Sequence, residues 1–151
     1  MDGSQDPNAA RKAWLAVLAK APAGAVNAAW QAAALAPAHT VLRAPEIGAV
    51  MVRGRAGAVG APFNLGEMTV TRCAIRLDTG EVGHGYVQGR SKDHALQAAL
   101  VDALMQTDAA TQVEDAILTP LRTAAEARKA SRAAKAAATK VDFFTMVRGE
   151  D

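Results

Sequence analysis

Aromatic residues make up only 4% of this 151-residue chain, and there is a single cysteine, Cys73. One thiol cannot close an intramolecular disulfide, nor supply the thiolates an iron–sulfur cluster needs, so both are excluded. His39, His84 and His94 are dispersed, without paired-cysteine or His-Glu-x-x-His spacing, which argues against an autonomous metal site. An excess of one charge is also missing. Lys+Arg 17 against Asp+Glu 15 leave +2, so attraction for a polyanion must come from local clustering rather than from the total. The longest apolar runs, such as residues 32–36, fall far short of the roughly 20 residues that span a bilayer. Residues 1–8 are polar and acidic; they read as a disordered tail without a secretory leader, and with the lone thiol they predict a soluble, cytoplasmic protein.

What is abundant is alanine. Hydrophobic residues reach 50% of the chain with few large ones among them, which predicts a helix-rich core built by close backbone approach and completed by a partner surface. Residues 9–151 are long enough for one domain with a real core. From Ala9 to Lys20 the apolar residues Trp14, Leu15, Val17 and Leu18 gather on one helical face; Pro22 and Gly24 break it. Val26, Ala29, Trp30 and Ala33 then continue at helical spacing, with Pro37 as the stop, so the chain begins with a helical hairpin.

After Pro37 the texture becomes β-branched. Residues 41–43, 47–55, 66–77 and 82–90 read as strands, punctuated by Pro45, the stretch 57–66, and Asp78-Thr79-Gly80. Gly80 suits a tight turn, giving an antiparallel hairpin in which residue 73 falls opposite residue 86 and His84 lies diagonal to Cys73. Ser91 is an N-cap candidate for a helix whose core face is Leu96, Ala99, Leu100, Ala103 and Leu104. A further helix is expected over residues 110–140, kinked or divided at Pro120. Its distal half carries a small-residue seam of Ala124, Ala127, Ser131, Ala134 and Ala138, suited to a helix contact within the chain or with a partner. Residues 142–147 (DFFTMV) read as a terminal strand. The fold class is α+β: an N-terminal helical hairpin, an antiparallel sheet, long C-terminal helices and a terminal strand.

Chemical signals are sparse. Arg53 and Arg55 share one side of an extended segment leading into a Gly-rich stretch (residues 53–60) whose N–H groups can face an anion. The stretch lacks the P-loop ending and the dinucleotide spacing, so glycines that merely permit a tight turn are the simpler account. Cys73 near His84 admits a nucleophile pair, but a buried thiol is the simpler reading. The glycines flanking His84 read first as packing devices. The Lys/Arg of the distal helix lack the interleaved aromatics of a nucleic-acid surface, so nucleic acid is disfavoured.

The runs RAPEIGAVMVRGR (residues 43–55) and GAPFNLGEMTVTRC (residues 60–73) resemble the PhnG family, a subunit of bacterial carbon–phosphorus lyase; FNLGEMTVTRC is the specific part. Gly83-His84-Gly85-Tyr86, Gly89-Arg90, and the early Arg11, Trp14 and Leu18 extend the likeness over residues 9–121. The resemblance implies a cytoplasmic assembly with PhnH, PhnI and PhnJ, and functionally PhnL, in which PhnI displaces adenine from ATP by an alkylphosphonate. The product is α-D-ribose 1-alkylphosphonate 5-triphosphate, and later C–P cleavage belongs to PhnJ and its iron–sulfur cluster. ATP is then a substrate of the complex, with no cofactor bound by this chain alone. The resemblance implies a structural and site-completing role, with Arg53, Arg55, Arg72 and Arg90 as anion or interface contacts, Asn64 and Glu67 as orienting groups, and His84 as an outside candidate for proton transfer. A homodimer of the isolated chain stays open, as do a stand-alone nucleotide or phosphonate transferase and a nucleic-acid binder.

Overall fold

The computed structural model of the chain describes residue 6, residues 8–57 and residues 59–141. The expected terminal strand at residues 142–147 and most of the expected disordered tail lie outside the described residues. Helices α1 (Ala9–Lys20) and α2 (Ala23–Ala33) form the hairpin; Pro22 stands immediately before α2, where its missing N–H removes no helical bond. Asp6 is anchored: its carbonyl accepts from Ala9 N at 2.8 Å and its carboxylate meets Lys12 Nζ at 2.7 Å. Helix α2 ends at Ala34, a non-glycine at φ 50°, three residues before Pro37.

Strands β1 (His39–Arg55), β2 (Pro62–Leu77) and β3 (Val82–Gln88) make an antiparallel sheet in the order β1-β2-β3. Pro45 does not divide β1. It falls in a register shift between Arg43 and Glu46, and as an edge strand β1 loses no ladder bond on its open side. The β2–β3 turn holds three residues rather than two, with Leu77 N bonded to Glu81 O at 2.9 Å and Gly80 at φ 112°. Residue 73 therefore pairs with Gly85, not with residue 86.

Helix α3 (Lys92–Leu104) starts at the expected Ser91 cap, whose hydroxyl accepts from His94 N at 3.2 Å. Its burial is not a narrow face. Ala95, Ala98 and Val101 are buried along with Ala99, Leu100, Ala103 and Leu104, whereas Leu96 is only half-buried. The sheet covers one side of α3 and the N-terminal helices the other, and such a central helix is apolar nearly all round. Gly83 and Gly85 permit this: a Cβ on either would stand 1.9 Å from the carbonyl oxygen of Ala99 or Ala95. The glycines beside His84 are packing devices.

The C-terminal helical stretch is divided, but ahead of Pro120. Helix α4 (Ala110–Val113) passes through a π-helical turn (Glu114–Leu118) into α5 (Thr119–Ala138), and Pro120 sits in the first turn of α5. The widened turn relieves the clash a proline ring makes with the carbonyl four residues back. Glu114 ties the two sides together by its ion pair to Arg122. Of the small-residue seam only Ala124 is half-buried; Ala127, Ser131, Ala134 and Ala138 are exposed, so among the described residues this distal part of the seam has no packing partner.

His94 is 1% exposed, its Nε2 2.8 Å from the Leu18 carbonyl and its Nδ1 without a partner among the described residues. Burial pushes its pKa below the usual 6.5, against a smaller opposing effect of the Leu18 bond. The unfolded chain thus takes up a proton that the folded chain refuses, so stability is full above 6.5 and falls as pH drops from there toward the lowered folded value. Denaturant midpoints measured between about pH 8 and about pH 5 should fall more steeply than those of His94→Gln. Equal slopes would assign the effect to other groups.

Candidate functional site

Burial alternates along the strands: Cys73, Ile75, Gly83, Gly85 and Val87 are buried on the side that packs on α3, whereas Arg72, Arg76, His84, Tyr86 and Gln88 on the other side are exposed, so among the described residues that side is open. Strand alternation sorts the candidate residues between these sides. Arg72 is flanked by Glu46 on β1 and Tyr86 on β3, and His84 pairs with Ala74, which places Arg72, His84 and Tyr86 on the open face. Arg72 Nε and Nη2 reach Glu46 Oε2 at 3.2 and 3.1 Å, and Arg43 Nη1 reaches the same oxygen at 3.3 Å. Arg72 first, and Arg43 second, hold the Glu46 carboxyl below its ordinary range. Exposed pairs of this kind stabilise the fold little. They do leave one net positive charge beside an open depression of about 220 Å³ lined by Glu46, Gly48, Val50, Val70, Arg72 and Tyr86.

Cys73 and His84 do not form a pair. The three-residue turn shifts the register by one, and a one-residue shift turns a side chain to the other face. Cys73 faces α3, 2% exposed, with burial pushing its thiol pKa up, while the exposed His84 faces outward. A raised thiol pKa is the opposite of what a nucleophile needs.

Beyond β3, β1 and β2 continue as a two-stranded arm. A bulge at Leu65 pairs Val52 with Gly66 but Arg53 with Asn64. Alternation along the unbulged β1 then puts Arg53 and Arg55 on the same side as Met51, which pairs with Glu67. Four candidates, Arg53, Arg55, Asn64 and Glu67, thus share the side of the arm opposite to Arg72. Asn64 and Arg72 are eight residues apart on β2, about 27 Å, so the arm and the sheet centre are separate surfaces. The Gly-rich stretch is the arm's tip, where Gly57 takes φ 67° and a Cβ on Gly60 would stand 2.2 Å from Ala56 O. Arg90 is exposed in the bend between β3 and α3. Arg53, Arg55, Arg76 and Arg90 have no carboxylate partner among the described residues.

One constellation had no place in the sequence reading. Asp102, fully buried in α3, accepts from Arg11 Nη2 at 2.7 Å, Arg11 Nε at 3.1 Å, Trp14 Nε1 at 2.9 Å and the backbone N of His84 at 2.9 Å. Its bond raises the Arg11 guanidinium further above its usual range. Arg11 and Trp14 are therefore clamps that fix α1 and the His84 backbone to α3. The available signal was an acid inside the run Leu100-Val101-Asp102-Ala103-Leu104.

Among the described residues, no group of three or more His, Cys, Asp or Glu is placed to hold a metal, and no helix is long and apolar enough to cross a membrane. Residues 9–149 match the family model described as phosphonate metabolism protein PhnG. The alpha-D-ribose 1-methylphosphonate 5-triphosphate synthase subunit PhnG of Rhizobium meliloti (strain 1021) is 46% identical over 143 residues, covering 95% of this chain and 92% of that relative. With a match over nearly its whole length, the chain belongs to the PhnG family of phosphonate metabolism proteins.

Proposed function

We propose that this chain is a noncatalytic subunit of a cytoplasmic α-D-ribose 1-alkylphosphonate 5-triphosphate synthase, working with PhnH-, PhnI- and PhnJ-like subunits and functionally with a PhnL-like one. The near-full-length identity to a protein named as a subunit of that synthase carries the reading. The reaction replaces the bond from the anomeric carbon of ATP to adenine by a bond to a phosphonate oxygen, with adenine leaving. Positive charge develops at the anomeric carbon beside a triphosphate, so fixed cations near the substrate position the polyanion without donating a proton. Arg53 and Arg55, on one side of the arm and without a carboxylate partner among the described residues, are suited to that contact, with Asn64 and Glu67 beside them as orienting groups. Arg72, already engaged by Glu46, and Arg90 are secondary anion contacts, and His84 is the outward group available for a proton.

Affinity purification from a phosphate-starved host, with identification of the copurifying chains, tests the assembly. In the reconstituted complex, Arg53→Ala with Arg55→Ala should lower product formation by at least about tenfold, as expected for lost charge-assisted contacts to a polyanion, with assembly intact. Loss of copurifying subunits in that variant would move the two arginines to an interface. Turnover of ATP and methylphosphonate by the lone chain would overturn the subunit reading.

A further inference from the structure

The arm is an unfinished sheet. Strand β3 pairs with β2 only from Arg76↔Val82 to Val70↔Gln88, and Gly89, at φ 96°, gives a last bond to Thr69 O at 2.9 Å before the chain turns away toward α3. Residues 62–68 of β2 therefore have β1 on one side and an open edge on the other, among the described residues. A two-stranded ribbon is marginal in water without a third strand or a packed face, and among the described residues nothing covers residues 62–67, all of which are exposed. The arm also concentrates exposed apolar surface: Met51 is 52% exposed, Phe63 45%, Leu65 62%, and Val59 at the tip 97%.

The bulge orders that surface. Phe63 pairs with Gly54, and Leu65 lies over the same glycine, its side chain occupying the space a Cβ there would take. Phe63 and Leu65 thus share one side of β2, in line with Met68 and Val70. Asn64 and Glu67 share the other, and Glu67 has no cationic partner among the described residues.

We infer that the open edge of β2 at residues 62–68 is a strand-addition site, filled in the assembly by an extended segment of a different subunit running in line with β3. Its alternate side chains are apolar where they meet Phe63, Leu65 and Met68, and polar on the other side, with a Lys or Arg facing Glu67. Backbone hydrogen bonds to the open edge supply the attachment, and the alternating side chains set the register. The inference rests on the subunit reading and adds which surface is used and by what kind of segment. It also accounts for an edge that, left bare and apolar, invites aggregation.

The test is amide hydrogen exchange of residues 63–68 in the full-length chain alone and in the purified complex. The alternate amides that point away from β1 should exchange freely in the lone chain and slow by at least about a hundredfold in the complex. Leu65→Asp, exposed and therefore harmless to the lone chain's melting, should weaken subunit association by at least about tenfold. If the complex assembles and these amides exchange as fast as in the free chain, strand addition is wrong while the subunit reading stands. If no subunit associates, both fall. Equal protection in a concentrated solution of the lone chain would make a second copy the occupant, and would overturn the assignment to a different subunit.

Discussion

Gly85→Val should yield no folded protein. The new Cβ would stand 1.9 Å from the carbonyl oxygen of Ala95, 2.9 Å from its carbonyl carbon and 3.2 Å from Ala99 N, all backbone atoms of a helix held on both sides. No rotamer relieves a Cβ clash, so α3 would have to lift from β3. That would uncover Cys73, Ile75 and Val87 on the sheet and Ala95, Ala99 and Ala103 on the helix, all now buried. The loss exceeds about 4 kcal/mol, a large part of the roughly 5–15 kcal/mol that holds a domain of this size. Gly83→Val meets Ala99 O and Ala103 in the same way and should behave alike. Gly48→Ala, on an edge strand with nothing within 4 Å of its Cβ, is the matched control and should melt within a few degrees of the parent. Circular dichroism melts of the three variants decide the matter; a cooperative transition near the parent's for Gly85→Val would refute this account of the packing.

Asp102→Ala should cost about 3–5 kcal/mol, the usual penalty for breaking a buried, hydrogen-bonded ion pair by removing one member. The aspartate is the acceptor for the Arg11 guanidinium, the Trp14 indole N–H and the His84 backbone N–H at once. Its loss leaves two neutral donors unsatisfied, and each such donor carries roughly 1–3 kcal/mol of desolvation. Arg11, with its side chain 32% exposed, retains some solvent contact, so Arg11→Met should cost less than Asp102→Ala. In a double-mutant cycle the two losses should fall short of additive by about 0.5–3 kcal/mol. Urea titrations of the parent, the two single variants and the double variant measure this coupling, and strict additivity would show that the clamp is not one unit.

Local signals carried much of the fold. Helix α1 runs over the residues its apolar spacing marked out, because a face of Trp14, Val17 and Leu18 followed by Pro22 leaves few alternatives. The Ser91 cap and the Gly80 turn were legible for the same reason: each is a demand that one residue type meets within its own few neighbours. The turn's length was not. Three residues rather than two moved the register by one place, and that single place separated Cys73 from His84. Periodicity also undersold α3, since a small residue such as Ala95 carries little hydrophobic signal yet is buried where the helix lies against a glycine.

The candidate site was legible as residue types and not as an arrangement. Arg53 and Arg55 were expected on a shared side, and strand alternation keeps them there. That Asn64 and Glu67 join them while Arg72 and His84 face the other way depends on the bulge at Leu65 and on where β3 stops. The role of Asp102 was not legible, because an acid in a helix reads as solvent-facing until a second layer covers it.

The N-terminal helical hairpin, the Gly80 turn, the α+β class and the family were determined by the sequence alone, because capping, periodicity and turn chemistry are settled between residues close along the chain. Only the tertiary structure decided which side each strand residue faces, how far α3 sinks between sheet and helices, and that residues 62–68 have an open edge among the described residues. Those outcomes depend on register and on close approach between distant segments, where one inserted residue or one absent Cβ changes which atoms meet.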